Sequence, residues 1–144
     1  MKYSLDTNVI ISHLKEDTFS DDTDRFFAWV RGFRHKMHIV DIVYAELYTG
    51  VYLSQNPTLE EKRIESFLAV NGIEVKHISS KIAKRAGALY AKHLLKNKKK
   101  RFKRILPDFV IGAHAEQYSD IFITWNPSDY DIGIAVKTPV EVME

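Results

Sequence analysis

Short apolar runs alternate along this chain with longer segments whose apolar positions repeat at helical spacing. Tyr3, Ser4 and Leu5 read as a short buried strand, and 8–14 as the helix that follows it. After a polar, acidic surface connection over 15–23, Phe26, Phe27 and Val30 mark an amphipathic helix over 24–33. Residues 37–40 predict a second strand, and Asp41 is placed to cap a helix over 42–54. Thr58-Leu59-Glu60-Glu61 has the form of a capping box opening a helix to Val70, which Asn71-Gly72 closes. A third strand over 73–76 leads to Ser79 or Ser80 as the cap of a long helix over 81–95, with Ile82, Ala86, Leu89, Tyr90 and Leu94 along one side. Pro107 suits the start of a helix over 108–118, and the last strands fall at 121–124 and 134–136 around an Asn126-Pro127-Ser128-Asp129 turn. Strands alternating with helices imply an α/β domain over 1–144. Its sheet of four to five strands is mainly parallel, with right-handed crossovers and helices on both faces.

The polar positions that break this pattern carry the chemistry. Asp6 stands where the first strand turns into a helix, with Thr7 and Asn8 beside it. In open α/β sheets ligands bind in the crevice outside the carboxyl ends of the strands. Asp6 is placed either there or simply as a helix cap. Glu46 shares a helix face with Ile42, Val43, Thr49 and Gly50, and Asp108 stands one turn before Ile111 and Gly112. Each also has a plainer reading as a boundary or capping acid, and Asp129 as a turn residue. In a doubly wound sheet, however, Asp6, Glu46 and Asp108 all face one edge. Crowded carboxylates repel, and a hard divalent cation such as Mg²⁺ or Mn²⁺ relieves the repulsion through oxygen ligands. That chemistry suits phosphodiester hydrolysis.

Charge sharpens the picture. The net charge is +2, yet residues 96–104 hold seven of the 21 basic residues and no acid. The remainder carries 14 basic against 19 acidic residues, an acidic body with one concentrated basic segment. That segment runs directly into Pro107-Asp108 and is expected beside the acidic edge. Lys98, Lys99, Lys100, Arg101, Lys103 and Arg104 are candidates for gripping RNA phosphates, with Phe102 for stacking a base. Its plainer reading is a solvated loop. There is no cysteine, which excludes disulfides and thiolate chemistry. No signal-peptide pattern and no membrane-spanning run appear, so a cytoplasmic protein is expected.

Four motifs, in order, resemble those of the PIN domain family: L-D-T-N-V-I-I at 5–11, I-V-Y-A-E-L at 42–47, L-P-D-F-V-I-G-A-H-A at 106–115 and I-T-W-N-P-S-D-Y at 123–130. The closing T-P-V-E-V at 138–142 is similar to the family's C-terminal strand. Within the family, length and motifs are most similar to VapC-type toxins of VapBC toxin–antitoxin pairs. The resemblance implies a metal-dependent endoribonuclease, usually a homodimer, silenced by a VapB-like antitoxin. It implies Asp6, Glu46 and Asp108 as metal-binding acids, with Asn8 and Thr124 in support. Many relatives carry the fourth acid where Asn126 stands here, whereas Asp129 matches members whose acid precedes an aromatic residue. Asp129 is favoured as the fourth, weaker ligand, with Asn126 near the site.

Other readings have less support. His114 lies six positions from Asp108, about 240° around a helix, and is expected in the core. Tyr44, Tyr48 and Tyr52 form a stripe that could be core, dimer face or antitoxin groove, and a protein–protein contact is favoured. Phosphate-loop, dinucleotide and serine-hydrolase motifs are absent. A phosphatase with an N-terminal Asp would need a second Asp at position 8, which is Asn, and a receiver-type domain matches only Asp6. The remaining alternative is a catalytically silent PIN-like module that binds RNA or protein without cutting.

Overall fold

The computed structural model describes residues 1–99 and 104–144. The chain runs β1 (Lys2–Leu5), α1 (Thr7–Lys15), α2 (Ser20–Gly32), β2 (Lys36–Val40), α3 (Asp41–Leu53), α4 (Pro57–Val70), β3 (Ile73–Lys76) and α5 (Ser80–Lys96). It continues through α6 (Leu106–Tyr118), β4 (Ile121–Ile123), a 3₁₀ turn at Pro127–Asp129, β5 (Ala135–Lys137) and α7 (Pro139–Met143). The five strands form one parallel sheet in the order β3-β2-β1-β4-β5. The chain therefore winds from β1 to one side, returns, and winds to the other. β1 and β4 are the adjacent strands at which the order reverses, and their paired ends are Leu5 and Ile123.

Both faces of the sheet are covered, so the central strands are buried on both sides: Ser4, His38 and Phe122 share one face, and Tyr3, Met37 and Ile121 the other. Tyr3 stacks toward Phe26 and Trp29 of α2, while His38 of β2 meets His114 and Tyr118 of α6. The main apolar cluster joins the sheet to α1–α4, and Ile82, Ala86 and Ala113 form a second cluster between α5 and α6. Among the described residues no helix is long and apolar enough to cross a membrane.

Several local expectations needed correction. Helix α2 begins at Ser20, with Asp21 and Asp22 in its first turn, where the helix dipole favours acids. The acidic stretch is thus partly helix and not all connection. Val40, not Asp41, is the N-cap of α3, and Asp41 reaches across to accept a hydrogen bond from the Ile78 amide at 3.4 Å. The Thr58–Glu61 box is unused because the helix starts earlier: Asn56 caps it through the Leu59 amide and Pro57 occupies the first turn. Gly72 does close the turn after α4, at φ +61°. The expected C-terminal strand over 138–142 is helix α7. Thr138 and Glu141 make a reciprocal capping box there, which satisfies the amides a strand would have needed a neighbour for. The tyrosine stripe is split. The Tyr44 and Tyr48 hydroxyls donate to Glu65 of α4 inside the fold, and only Tyr52 stands clear, 72% exposed.

His38 and His114 are both buried, and neither ring nitrogen of His114 has a hydrogen-bond partner. Burial pushes each down to about 4; for His38 the neighbouring His114, Lys76 and Lys2 add to this, while Asp41 opposes it for His114. The unfolded chain therefore binds protons more readily than the folded one as pH falls from 6.5 toward 4, and stability is lost through that window. A shift of this size is worth about 3 kcal/mol for a single group. Urea unfolding of His114→Phe across that range should show a visibly flatter loss of stability than the parent. Parallel curves would mean that His114 is not held neutral by its burial.

Candidate active site

The site grows from the end of β1. The Asp6 amide donates to the Ile123 carbonyl at 2.9 Å, which extends the β1–β4 pairing by one residue. Its backbone is extended (φ −77°, ψ 156°), so the carboxylate turns back over the start of α1 and Oδ1 accepts the Thr7 amide at 2.8 Å. Both readings of this residue are realised at once: Asp6 caps the helix and lies at the carboxyl edge of the sheet. Oδ2 accepts the Thr124 hydroxyl at 2.8 Å, the Tyr130 hydroxyl at 3.2 Å and the Asn8 amide at 3.4 Å. The residue is 8% exposed. Burial holds its pKa above the ordinary carboxylate value and outweighs the bonds from Thr124, Thr7 and Tyr130, while Asp108 raises it further.

Asn8 ties this carboxylate to the neighbouring strand. Its side-chain amide also donates to Thr124 Oγ1 at 3.2 Å, and its carbonyl accepts the Trp125 amide at 3.1 Å. Thr124 Oγ1 in turn accepts the Asn126 amide at 3.1 Å. Asn8 and Thr124 thus both bond the Asp6 carboxylate. Tyr130 was not singled out by sequence reasoning as a functional residue, since nothing but its place after Asp129 marks it. It reaches Asp6 because the segment over 130–132 lies hard against α6. A Cβ at Gly112 would come within 3.1 Å of Ile132 and 3.7 Å of Tyr130.

Asp6, Glu46, Asp108, Asn126 and Asp129 line one open pocket of about 360 Å³. Glu46 enters from α3. Although the residue as a whole is exposed, partial burial of its carboxyl raises its pKa, and the charges of Asp6 and Asp108 add to the effect. Asp108, in the first turn of α6, approaches Arg104 Nε at 3.7 Å. Arg104 is the one basic residue lining the pocket among the described residues, and its guanidinium lies 4.4 Å from the centre of the Tyr130 ring. Lys98 and Lys99 are exposed beyond the end of α5. Lys100, Arg101, Phe102 and Lys103 lie outside the described residues. His114 faces away, into the core.

The donor set suits a hard cation. Every acid that lines the pocket offers oxygen, and the buried Thr7 hydroxyl stands beside the Glu46 carboxylate. Among the described residues no three acid or imidazole groups stand close enough to hold one ion together. Mg²⁺ does not require that, since it commonly takes one or two carboxylates and keeps several waters. The residues present therefore fit such an ion with water completing its shell.

The bond from Thr124 stabilises the ionised form of Asp6, so its worth depends on pH. Thr124→Val should cost about 1–3 kcal/mol in urea unfolding near pH 7.5. The loss should shrink at acid pH as Asp6, whose pKa burial holds above the ordinary carboxylate value, takes up a proton. What remains is the part due to the Asn126 and Asn8 amides, which lose Thr124 as acceptor. An equal loss at both pH values would mean that the hydroxyl does not hold the carboxylate.

Several solved structures are similar to this fold. DNA-bound VapBC from Salmonella typhimurium matches at a TM-score of 0.77 and 23% identity, over 96% of this chain and 98% of that chain. VapBC2 from Rickettsia felis, bound to a promoter DNA fragment, matches at 0.75 and 22%, again over 96% and 98%. Mycobacterium tuberculosis VapC20, a toxin that cleaves the Sarcin-Ricin loop, matches at 0.60 and 12%, over 83% of this chain and 86% of that chain. No curated protein matches the chain. The PIN domain model matches residues 3–132, a span that takes in every acid of the pocket. With sheet order, acid-lined crevice and family model in agreement, this chain belongs to the PIN domain family.

Proposed function

We propose that this protein is a divalent-metal-dependent endoribonuclease, the toxin of a toxin–antitoxin pair, acting in the cytoplasm. The observation that carries the reading is the meeting of Asp6, Glu46, Asp108 and Asp129 around one open pocket at the point where the strand order reverses. These acids would hold Mg²⁺ or Mn²⁺, with Asp129 the more peripheral. An ion there supplies a more acidic water and neutralises charge developing on the phosphate. The chain's own work is positioning. Thr124, Asn8 and Tyr130 fix the Asp6 carboxylate, and Arg104 offers a cation to a phosphate entering beside Asp108.

A VapB-like antitoxin and self-association as a homodimer belong to the same reading. The VapBC complexes that share the fold support the first. So does a groove beside the pocket, where Ile11, Leu14, Leu47 and Val51 are joined by Lys15, Glu46, Glu60 and Arg63, which suits an amphipathic segment. A silent binding module would have no use for a carboxylate cluster in which Asp108 raises the proton affinity of Asp6, and Asp6 and Asp108 together raise that of Glu46.

Asp6→Asn, Glu46→Gln and Asp108→Asn should each lower Mg²⁺-dependent RNA cleavage by about a hundredfold or more. The melting temperatures of Glu46→Gln and Asp108→Asn should hold or rise, because each removes one repelling charge, whereas Asp6→Asn also gives up an acceptor oxygen for Asn8, Thr124 and Tyr130. Asp129→Asn should lose less. Full cleavage by any of the first three at saturating Mg²⁺ would remove that residue from the site. Full loss in Asn126→Ala with little in Asp129→Asn would reverse the choice of fourth acid. A parent whose cleavage is unaffected by a chelator would end the metal-dependent reading.

The basic segment generates a separate expectation. Each phosphate contact on a single strand contributes about 0.7 to the slope of log affinity against log salt. Changing Lys98, Lys99, Lys100 and Arg101 together to Ser should weaken RNA binding and flatten that slope, with turnover of bound RNA little changed. The same slope as the parent would reduce the segment to a loop.

A further inference from the structure

At the rim of the pocket an aromatic ring is displayed and not buried. Phe19 stacks on Trp125 with ring centres 4.4 Å apart and planes 17° from parallel, yet it remains 45% exposed and belongs to neither apolar cluster. Trp125 covers one face of the ring, and much of the residue remains exposed to solvent. Its chain neighbours place it close to the chemistry, for Asp17 and Asn126 both line the pocket.

The pair is held by a polar network in which Ser12 and Thr23 are buried. The Phe19 amide donates to Asp17 Oδ1 at 2.9 Å, and the same oxygen accepts the Ser12 hydroxyl at 2.7 Å. Thr23, fully buried, bonds through its hydroxyl to the Phe19 carbonyl at 3.0 Å and accepts the Trp125 indole N–H at 3.1 Å. The Trp125 amide is held by Asn8, which also bonds Asp6. A ring that only covered Trp125 would need neither this fixation nor so much exposure. A ring prepared in advance can accept a flat partner without further ordering, which is where association otherwise loses free energy.

We propose that Phe19, backed by Trp125, is a stacking platform for one unpaired base of the RNA strand whose phosphate enters the pocket. The proposal rests on the ribonuclease reading. Every base has a π-face, so the platform selects for an unpaired nucleotide beside the cut and not for a sequence. A base in a continuous duplex has both faces covered by its neighbours and cannot use it.

Four proteins test this: the parent, Phe19→Ala, Phe19→Leu and Phe19→Trp. Binding of a labelled oligoadenylate, free or annealed to its complement, is read by anisotropy with Ca²⁺ in place of Mg²⁺, and cleavage by the parent is read with Mg²⁺. Phe19→Ala and Phe19→Leu should bind the free strand about tenfold more weakly, in line with the worth of one stacked base. Phe19→Trp should restore binding, and affinity for the duplex should be the same in all four. Leucine keeps an apolar cover over Trp125, so a melting temperature near the parent's separates lost stacking from lost folding. Parental affinity in Phe19→Leu, or equal weakening toward free strand and duplex, overturns the platform while leaving the nuclease reading intact. So does a Phe19→Leu variant impaired only in binding a protein antitoxin. A parent that neither binds nor cuts the strand overturns both.

Discussion

The structure turns on a single buried carboxylate. Asp6 sits where β1 meets β4, and four groups from three parts of the chain converge on it: the Thr7 amide, the Asn8 amide, and the hydroxyls of Thr124 and Tyr130. A charge taken out of water is costly unless hydrogen-bonded. Here the bonds do not fully offset the burial, since the proton affinity of Asp6 remains above normal. A carboxylate left in that condition gains from any cation brought to it. The packing that creates the condition also shapes the pocket, because the bond from Tyr130 depends on the close approach of residues 130–132 to Gly112.

Charge in the pocket is unevenly answered. Asp108 acts on Asp6 and both act on Glu46, while Arg104, the one lining cation among the described residues, is drawn to Asp108 and the Tyr130 ring. Asp108 is thereby the partly compensated member, and Asp6 and Glu46 carry the larger share of unrelieved repulsion. An anionic strand approaching such a rim needs positive charge near the entrance as well as inside. Lys98 and Lys99, exposed after α5, and Arg104, at the pocket, lie on the same connection between α5 and α6. Close in the chain to the pocket residues Asp17 and Asn126, Phe19 and Trp125 offer aromatic surface. Cations and rings near one pocket match the phosphates and bases of a polynucleotide.

The amino-acid sequence by itself determined the layering. Short apolar runs between helical repeats leave no arrangement but strands covered on both faces, and right-handed crossovers then bring the residues after β1 and β2 and at the start of α6 to one edge. That is why Asp6, Glu46 and Asp108 were legible as a group. The sequence was a poorer guide wherever two capping choices competed. Asn56-Pro57 prevailed over Thr58 through Glu61 at the start of α4, and Thr138 with Glu141 made a helix where a strand was expected. Local signals for both outcomes were present, and their free energies differ by less than the packing that decides between them. Only the tertiary structure could decide how far the acids approach one another, that Tyr130 bonds to Asp6, that Glu65 takes up Tyr44 and Tyr48, and that Phe19 lies over Trp125. Each of these joins residues far apart in the chain, and their spacing carries no periodic signal because the folded backbone alone sets the distance between them.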